Sequence, residues 1–242
     1  MDYLILASSI VAGALTMLWF RLERNHLRLF NAFTGSFLLC LTFLHLLPEL
    51  YHDSGITTEA ARDHMDLRLG GLILAGFFVQ IVLEFFSHGI EHGHAHHVHG
   101  RMPLGVIIGL CLHALIEAMA LGDSNSSHDP ASRRLLLWSI VLHNYPVSIA
   151  LLGMLLHAGM GRGSALGILG LFAIMAPIGM TLSGHTSLAA HSRELMAFVI
   201  GIFMHISTTI LFESGDGHRF NRNKTIAIVI GAAVGVASVL TH

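Results

Sequence analysis

Apolar runs of about 20 residues alternate with short polar breaks along the chain, and that length is what a helix needs to cross the hydrocarbon of a bilayer. Eight runs are present: Asp2 to Phe20, Leu29 to Leu50, Leu69 to Phe86, Pro103 to Gly122, Leu135 to His157, Ser164 to Ser183, Leu195 to Phe212 and Lys224 to Leu240. The breaks are rich in Gly, Asp, Ser and His and leave no room for a separate soluble domain. No stretch of about ten residues alternates as a transmembrane strand would. A backbone in lipid must satisfy its own hydrogen bonds, so the pattern predicts an all-α membrane protein of eight transmembrane helices, with residues 1–242 as a single transmembrane domain.

Composition sharpens this picture. Of 242 residues, 53% are hydrophobic and only 12% charged, whereas a soluble domain spends about a quarter of its residues on charge. The formal charge of -2 suggests neither nucleic acid nor a polyacidic partner. Cys40 and Cys111 lie inside apolar runs, with no spacing of a metal knuckle or disulfide framework. The first run follows an acidic residue and precedes Arg21 and Arg24, the reverse of a secretory signal, and is expected to be a retained span.

Eight spans put both termini on one side. With the termini outside, the inner loops hold Arg21, Arg24, Arg28, Arg101, Arg162, Arg219, Arg222 and Lys224, the only lysine. The outer loops hold Arg62, Arg68, Arg133, Arg134 and Arg193. The excess of positive charge favours termini outside.

Few ionisable groups fall inside the runs: His45, Glu84, His113, Glu117, His143 and His205, with Glu49 and Glu213 near span ends. An Asp, Lys or Arg at the centre of a span costs roughly 2.5 to 3.5 kcal/mol, so buried ionisable groups normally face a protein interior or a polar path. In "LCLHALIEAMALGD", residues 110–123, His113 and Glu117 stand four apart and project from one helical face. "SIVLHNYPVSIALL", residues 139–152, adds His143 and Asn144 on the next span, which a short loop would set antiparallel to its neighbour. Imidazole with carboxylate suits Zn²⁺, and with small changes Fe²⁺, Mn²⁺, Co²⁺ or Cd²⁺. The plainer alternative for His113 and Glu117 is a neutral interhelical pair worth about 1 kcal/mol. Pro146 removes a backbone donor and frees a carbonyl near Leu142, which could kink the helix or offer an oxygen. His205 reads as a packing group, Glu84 as structural, and the eleven methionines as filler.

"SHGIEHGHAHHVHGR", residues 87–101, gathers His88, His92, His94, His96, His97 and His99 on a Gly-containing segment that the topology puts in the cytoplasm. His92, His94, His96, His97 and His99 make a loose, exchangeable site for zinc-like metals, against the plainer alternative of a solvated linker. "LLPELYHDSG" and "ILFESGDG" close the second and seventh spans on Glu49 and Glu213, a short similarity of the kind inverted halves produce.

Together these residues make the chain resemble the ZIP family of zinc and iron transporters over essentially its full length. "HALIEAMALG" resembles the family's fourth-span pattern, "HNYP" its fifth-span pattern, "FLHLLPEL" its His-Leu-Leu-Pro-Glu signature and "APIG" its Glu-Pro-Ile-Gly. The resemblance implies a ZIP-like bundle with outside termini, a homodimer, and a transport unit that slides like an elevator against a scaffold of other helices. It also implies two neighbouring metal positions, with His113, Glu117 and His143 matching ligands of the first and Asn144 a ligand of the second. The chain departs at Ala114, Val147 and Ala176, where the family carries polar or acidic residues, so the second position has lost most of its donors. "GMGRGSALGILG" at the start of the sixth span is permissive for sliding helices.

The expected function is transport of a divalent transition metal, most of all zinc, toward the cytoplasm, with no organic cofactor, in a plasma membrane or bacterial inner membrane. Because imidazole binds metal only when deprotonated, uptake should weaken in mildly acidic medium. Two alternatives stand beside it. One is a homologue that binds metal without moving it. The other is a haem or di-iron membrane protein, for which "HGHAHHVHG" lacks the HxxHH spacing and only His45, His143 and His205 remain as axial candidates.

Overall fold

The structure is a computed structural model that describes residues 1–20, 24–52, 59–87, 104–122, 130–213 and 222–241. The described residues are almost wholly helical, without strands. The order is α1 (Asp2–Trp19), α2 (Arg24–Leu41), a π-helical turn (Thr42–Leu46), α3 (Leu47–His52), α4 (Glu59–Ser87), α5 (Leu104–Met119), α6 (Pro130–His157), α7 (Arg162–His185), a 3₁₀ turn (Ser187–His191), α8 (Ser192–Glu213) and α9 (Arg222–Leu240). Counting α2, the π turn and α3 as one rod, the described residues form eight helical rods where eight spans are expected. Seven are long and apolar enough to cross a membrane. The eighth, α5, has 16 residues and is about 24 Å long.

Three helices begin well before their apolar runs: α4 by ten residues, and α2 and α6 by five each. Hydropathy marks where a span is greasy, whereas backbone hydrogen bonding carries the helix out past the hydrocarbon. Pro146 lies inside an unbroken α6. Pro48 acts differently. Lacking an N–H and clashing with the carbonyl a turn earlier, it follows a widened segment in which the Leu47 N–H bonds to Thr42 O, five residues back. The α6–α7 turn closes with Gly159 N–H on Leu156 O and Met160 N–H on Leu155 O, a helix end that needs Gly159 at its φ of 82°.

The helices sort into two sets. α1 lies along α6 and α5 along α7, with α1 also against α7; α2 lies along α9 and α4 along α8, with α2 also against α8. The sets meet where α4 touches α5 and α2 touches α6. Glycines allow the close crossings. A Cβ on Gly76 of α4 would fall 1.9 Å from Phe198 O of α8, and one on Gly201 of α8 would fall 1.9 Å from Ile73 O of α4. In the glycine-rich stretch at the start of α7, a Cβ on Gly161, Gly163, Gly167 or Gly170 would meet nothing within 4 Å, so among the described residues these glycines line no helix contact. It is Gly179, later on α7, that approaches α5, its Cβ position 2.2 Å from Leu115 O.

Polar side chains tie the helix ends. Arg133 pairs with Asp2 and donates from Nη2 to Leu121 O at 3.1 Å, which sets the starts of α1 and α6 beside the end of α5. Arg193 donates to Leu50 O through Nε and Nη2, at 3.0 and 2.7 Å. Lys224 donates to Leu211 O at 2.7 Å, using the start of α9 to satisfy a last-turn carbonyl of α8. These bonds fix alternating helix directions.

Candidate metal centre

The buried apolar side chains form two cores, and their boundary locates the chemistry. One core lies within the first set and comprises Ile10 and Ala14 of α1, Val106 to Ala114 of α5, Val147 to Leu155 of α6 and Ala165 to Phe172 of α7. The other takes up Leu6, Ala118, Leu135 to Ile140, and Ala176 and Met180 on those same helices, with Leu121 in the turn after α5, and continues into α2 and α8. Between them each of α5 and α6 crosses a polar layer: His113 and Glu117 on one, His143 and Asn144 on the other. All four are buried.

Helical geometry puts His113 and Glu117 one turn apart on α5, and antiparallel α6 brings His143 to the same carboxylate. Glu117 Oε2 lies 2.9 Å from His143 Nε2. Glu117 Oε1 lies 3.0 Å from His113 Nε2 but has no hydrogen bond of good geometry. One ligand atom from each residue falls within 4.8 Å of the others, and this is the one such group of three among the described His, Cys, Asp and Glu side chains. Donors about 2.0 to 2.2 Å from a tetrahedral zinc stand about 3.4 Å apart, so small side-chain rotations suffice to close the group on an ion.

The far sides of both rings are engaged. His143 Nδ1 donates to Ser139 O at 2.8 Å, and His113 Nδ1 lies 3.1 Å from Gln80 Oε1. With Nδ1–H turned to acceptors, each Nε2 faces the carboxylate. A carboxylate with no solvent exposure requires a positive partner there, either an imidazolium or a cation held among the three groups. Phe203 of α8 covers the His143 ring edge-on with centroids 5.9 Å apart. Asn144, the next residue along α6, has neither its Oδ1 nor its Nδ2 hydrogen-bonded. Gln80 and Phe203 come from the second helix set and had no local signal in the sequence beyond one amide in the apolar run "GFFVQIVL".

The remaining candidates lie elsewhere. His205 Nε2 pairs with Glu84 Oε2, and its ring stands edge-on to Phe77 at 5.0 Å. His45, in the π turn, lies 3.8 Å from Glu49. Ala114, Val147 and Ala176 are buried members of the apolar cores. His92, His94, His96, His97 and His99 lie outside the described residues, as does the side chain of Glu213.

A family model described as ZIP zinc transporter matches residues 100–240, the part of the chain that carries the cluster. Among curated proteins, the chain is 23% identical to zinc transporter ZIP9-A of Xenopus laevis over 219 residues, 78% of this chain and 72% of the relative. It is 23% identical to ZIP9 of Xenopus tropicalis over 82% of this chain and 74% of that protein. With ZIP9-B of Xenopus laevis the identity is 26%, over 80% and 67%.

Proposed function

The chain belongs to the ZIP zinc transporter family, and from that premise we propose that it moves a divalent transition-metal ion, zinc foremost, across a membrane toward the cytoplasm. The ion passes through the cluster of His113, Glu117 and His143, with the Asn144 carbonyl as a further oxygen donor. The observation that carries this reading is the placement of three ligand-type side chains, shielded from solvent, in the polar layer between two apolar cores. Two imidazole nitrogens and a carboxylate oxygen form a donor set for borderline cations and a poor one for Mg²⁺ or Ca²⁺. The zinc transporters of the genus Xenopus that the chain resembles point to the same cargo. Fe²⁺, Mn²⁺, Co²⁺ and Cd²⁺ are the competitors to examine.

The whole chain is read as one membrane unit with its termini outside, in a plasma membrane or bacterial inner membrane, working as a homodimer. Division of the helices into two sets supports an elevator-like cycle in which α1, α5, α6 and α7 carry the ion past α2, α4, α8 and α9. The loop histidines His92, His94, His96, His97 and His99 receive or buffer the arriving ion.

Uptake of radioactive zinc into vesicles containing the purified protein tests the reading. Glu117→Ala should reduce uptake to the level of empty vesicles, because it leaves two imidazoles without the charge that binds the cation. Uptake equal to that of the native chain would refute the assignment. A second reading, metal binding without transport, draws on the apolar residues at positions 114, 147 and 176, which leave the second metal position short of donors. Metal binding that survives deletion of residues 92–99 in vesicles that take up no zinc would favour it. Nothing observed favours haem or di-iron: His45, His143 and His205 each lie beside a different carboxylate.

A further inference from the structure

Gln80 is a fully buried amide on α4, a helix outside the set that carries the three ligands. Its neighbours in sequence, Phe77, Phe78, Val79, Ile81, Val82 and Leu83, are apolar, so no local polar surface accounts for it. Its Oε1 stands 3.1 Å from His113 Nδ1, on the side of the ring opposite Glu117. An imidazole has two nitrogens, and only the one without hydrogen can bind metal. A hydrogen bond accepted at one nitrogen therefore decides which nitrogen is offered to the ion, holds the ring plane and raises the basicity of the ligand atom. His143 obtains this service from its own helix, through Ser139 O. The acceptor facing His113 Nδ1 comes instead from across the helix interface, at Gln80 Oε1.

We propose that Gln80 is a positioning residue for the metal site: its amide carbonyl fixes His113 with Nδ1 protonated and Nε2 aimed at the ion shared with Glu117 and His143. The inference rests on the transport site proposed above, and deepens it by making metal affinity depend on a residue of the opposing helix set. Gln80 touches no metal itself.

Co²⁺ titration of the purified full-length protein, followed by visible absorption, reads the site directly. The share of the signal lost in Glu117→Ala separates this site from the loop histidines. Gln80→Leu, which keeps the bulk and removes the acceptor, should weaken Glu117-dependent Co²⁺ binding by about 10- to 100-fold. Gln80→Glu, with a stronger acceptor for the same N–H, should bind at least as tightly as the native chain. In vesicles Gln80→Leu should raise KM for zinc and leave the maximal rate unchanged, a split that general loosening of the fold would not produce. Native Co²⁺ affinity in Gln80→Leu overturns the proposal, as does Gln80→Glu binding as weakly as Gln80→Leu. Should Gln80→Leu not fold, Gln80→Glu still decides, since weaker binding than native contradicts a role as acceptor. Gln80-dependent Co²⁺ binding in a chain that takes up no zinc sinks the transport reading and leaves this one standing. Zinc uptake with Gln80-independent affinity does the reverse.

Discussion

Asn144 carries an amide whose oxygen and nitrogen are both buried and both without a hydrogen bond. Leaving such groups unpaired costs roughly 1 to 3 kcal/mol, which a fold retains where an occupant will use them. Asn144→Leu, close in volume and free of polar atoms, should therefore raise the thermal midpoint of the metal-free protein while weakening its metal binding. Unfolding followed in detergent with and without Zn²⁺ checks both. A variant that loses stability and keeps metal affinity would assign Asn144 to packing. At this scale the sequence was informative where chemistry is local. His113 and Glu117 are legible because four residues is close to one turn, and His143 because it opens a polar pair in an apolar span. Gln80 was not legible, since an amide in a greasy run looks the same whether it meets a ligand or a neighbouring backbone.

Helices α4 and α8 meet through two glycines, each lying under a carbonyl of the other helix. A methyl group at either position overlaps backbone, which no side-chain rotation relieves, and overpacking of this kind costs about 1 to 3 kcal/mol or more. Gly76→Ala should therefore lower the thermal midpoint markedly. Gly167→Ala, whose Cβ enters open space, should be neutral or gain about 0.8 to 1.0 kcal/mol from helix propensity. Equal effects from the two substitutions would argue against the close crossing. Both glycines sit in apolar helices and look alike in sequence. Element existence was legible from hydropathy, whereas the early starts of α2, α4 and α6 were not, because helix continues into water wherever the backbone bonds. The π turn before Pro48 combines a readable cause with an outcome set by packing: the missing N–H is in the sequence, but whether the rod kinks, breaks or widens depends on its neighbours. Pro146, in a similar setting, leaves α6 continuous.

For the whole molecule, the arginines and the one lysine predict outside termini, and the helix-end bonds show that Asp2, Leu121 and Arg133 share one rim. A cysteine in place of Thr241 should react with a membrane-impermeant maleimide on intact cells. One in place of His99, between the third and fourth spans, should react only after permeabilisation. The opposite pattern would invert the topology and with it the direction in which the loop histidines could receive metal. The three clustered side chains belong to one helix set, while Gln80 and Phe203 contact the two imidazoles from the other.

Class, the number of helical rods and the candidate ligands His113, Glu117 and His143 were legible in the sequence alone, because each rests on short-range regularities: run length against bilayer thickness, one turn between His113 and Glu117, and the price of burying charge. Tertiary structure decided which faces of the helices meet. That choice put a carboxylate between two imidazoles, gave His113 its acceptor from a helix 33 residues away in sequence, and turned one glycine-rich stretch outward while drawing other glycines into contact. Such outcomes depend on the rotation and crossing of rods whose apolar surfaces are nearly uniform, so the information resides in complementary shapes and not in any one segment.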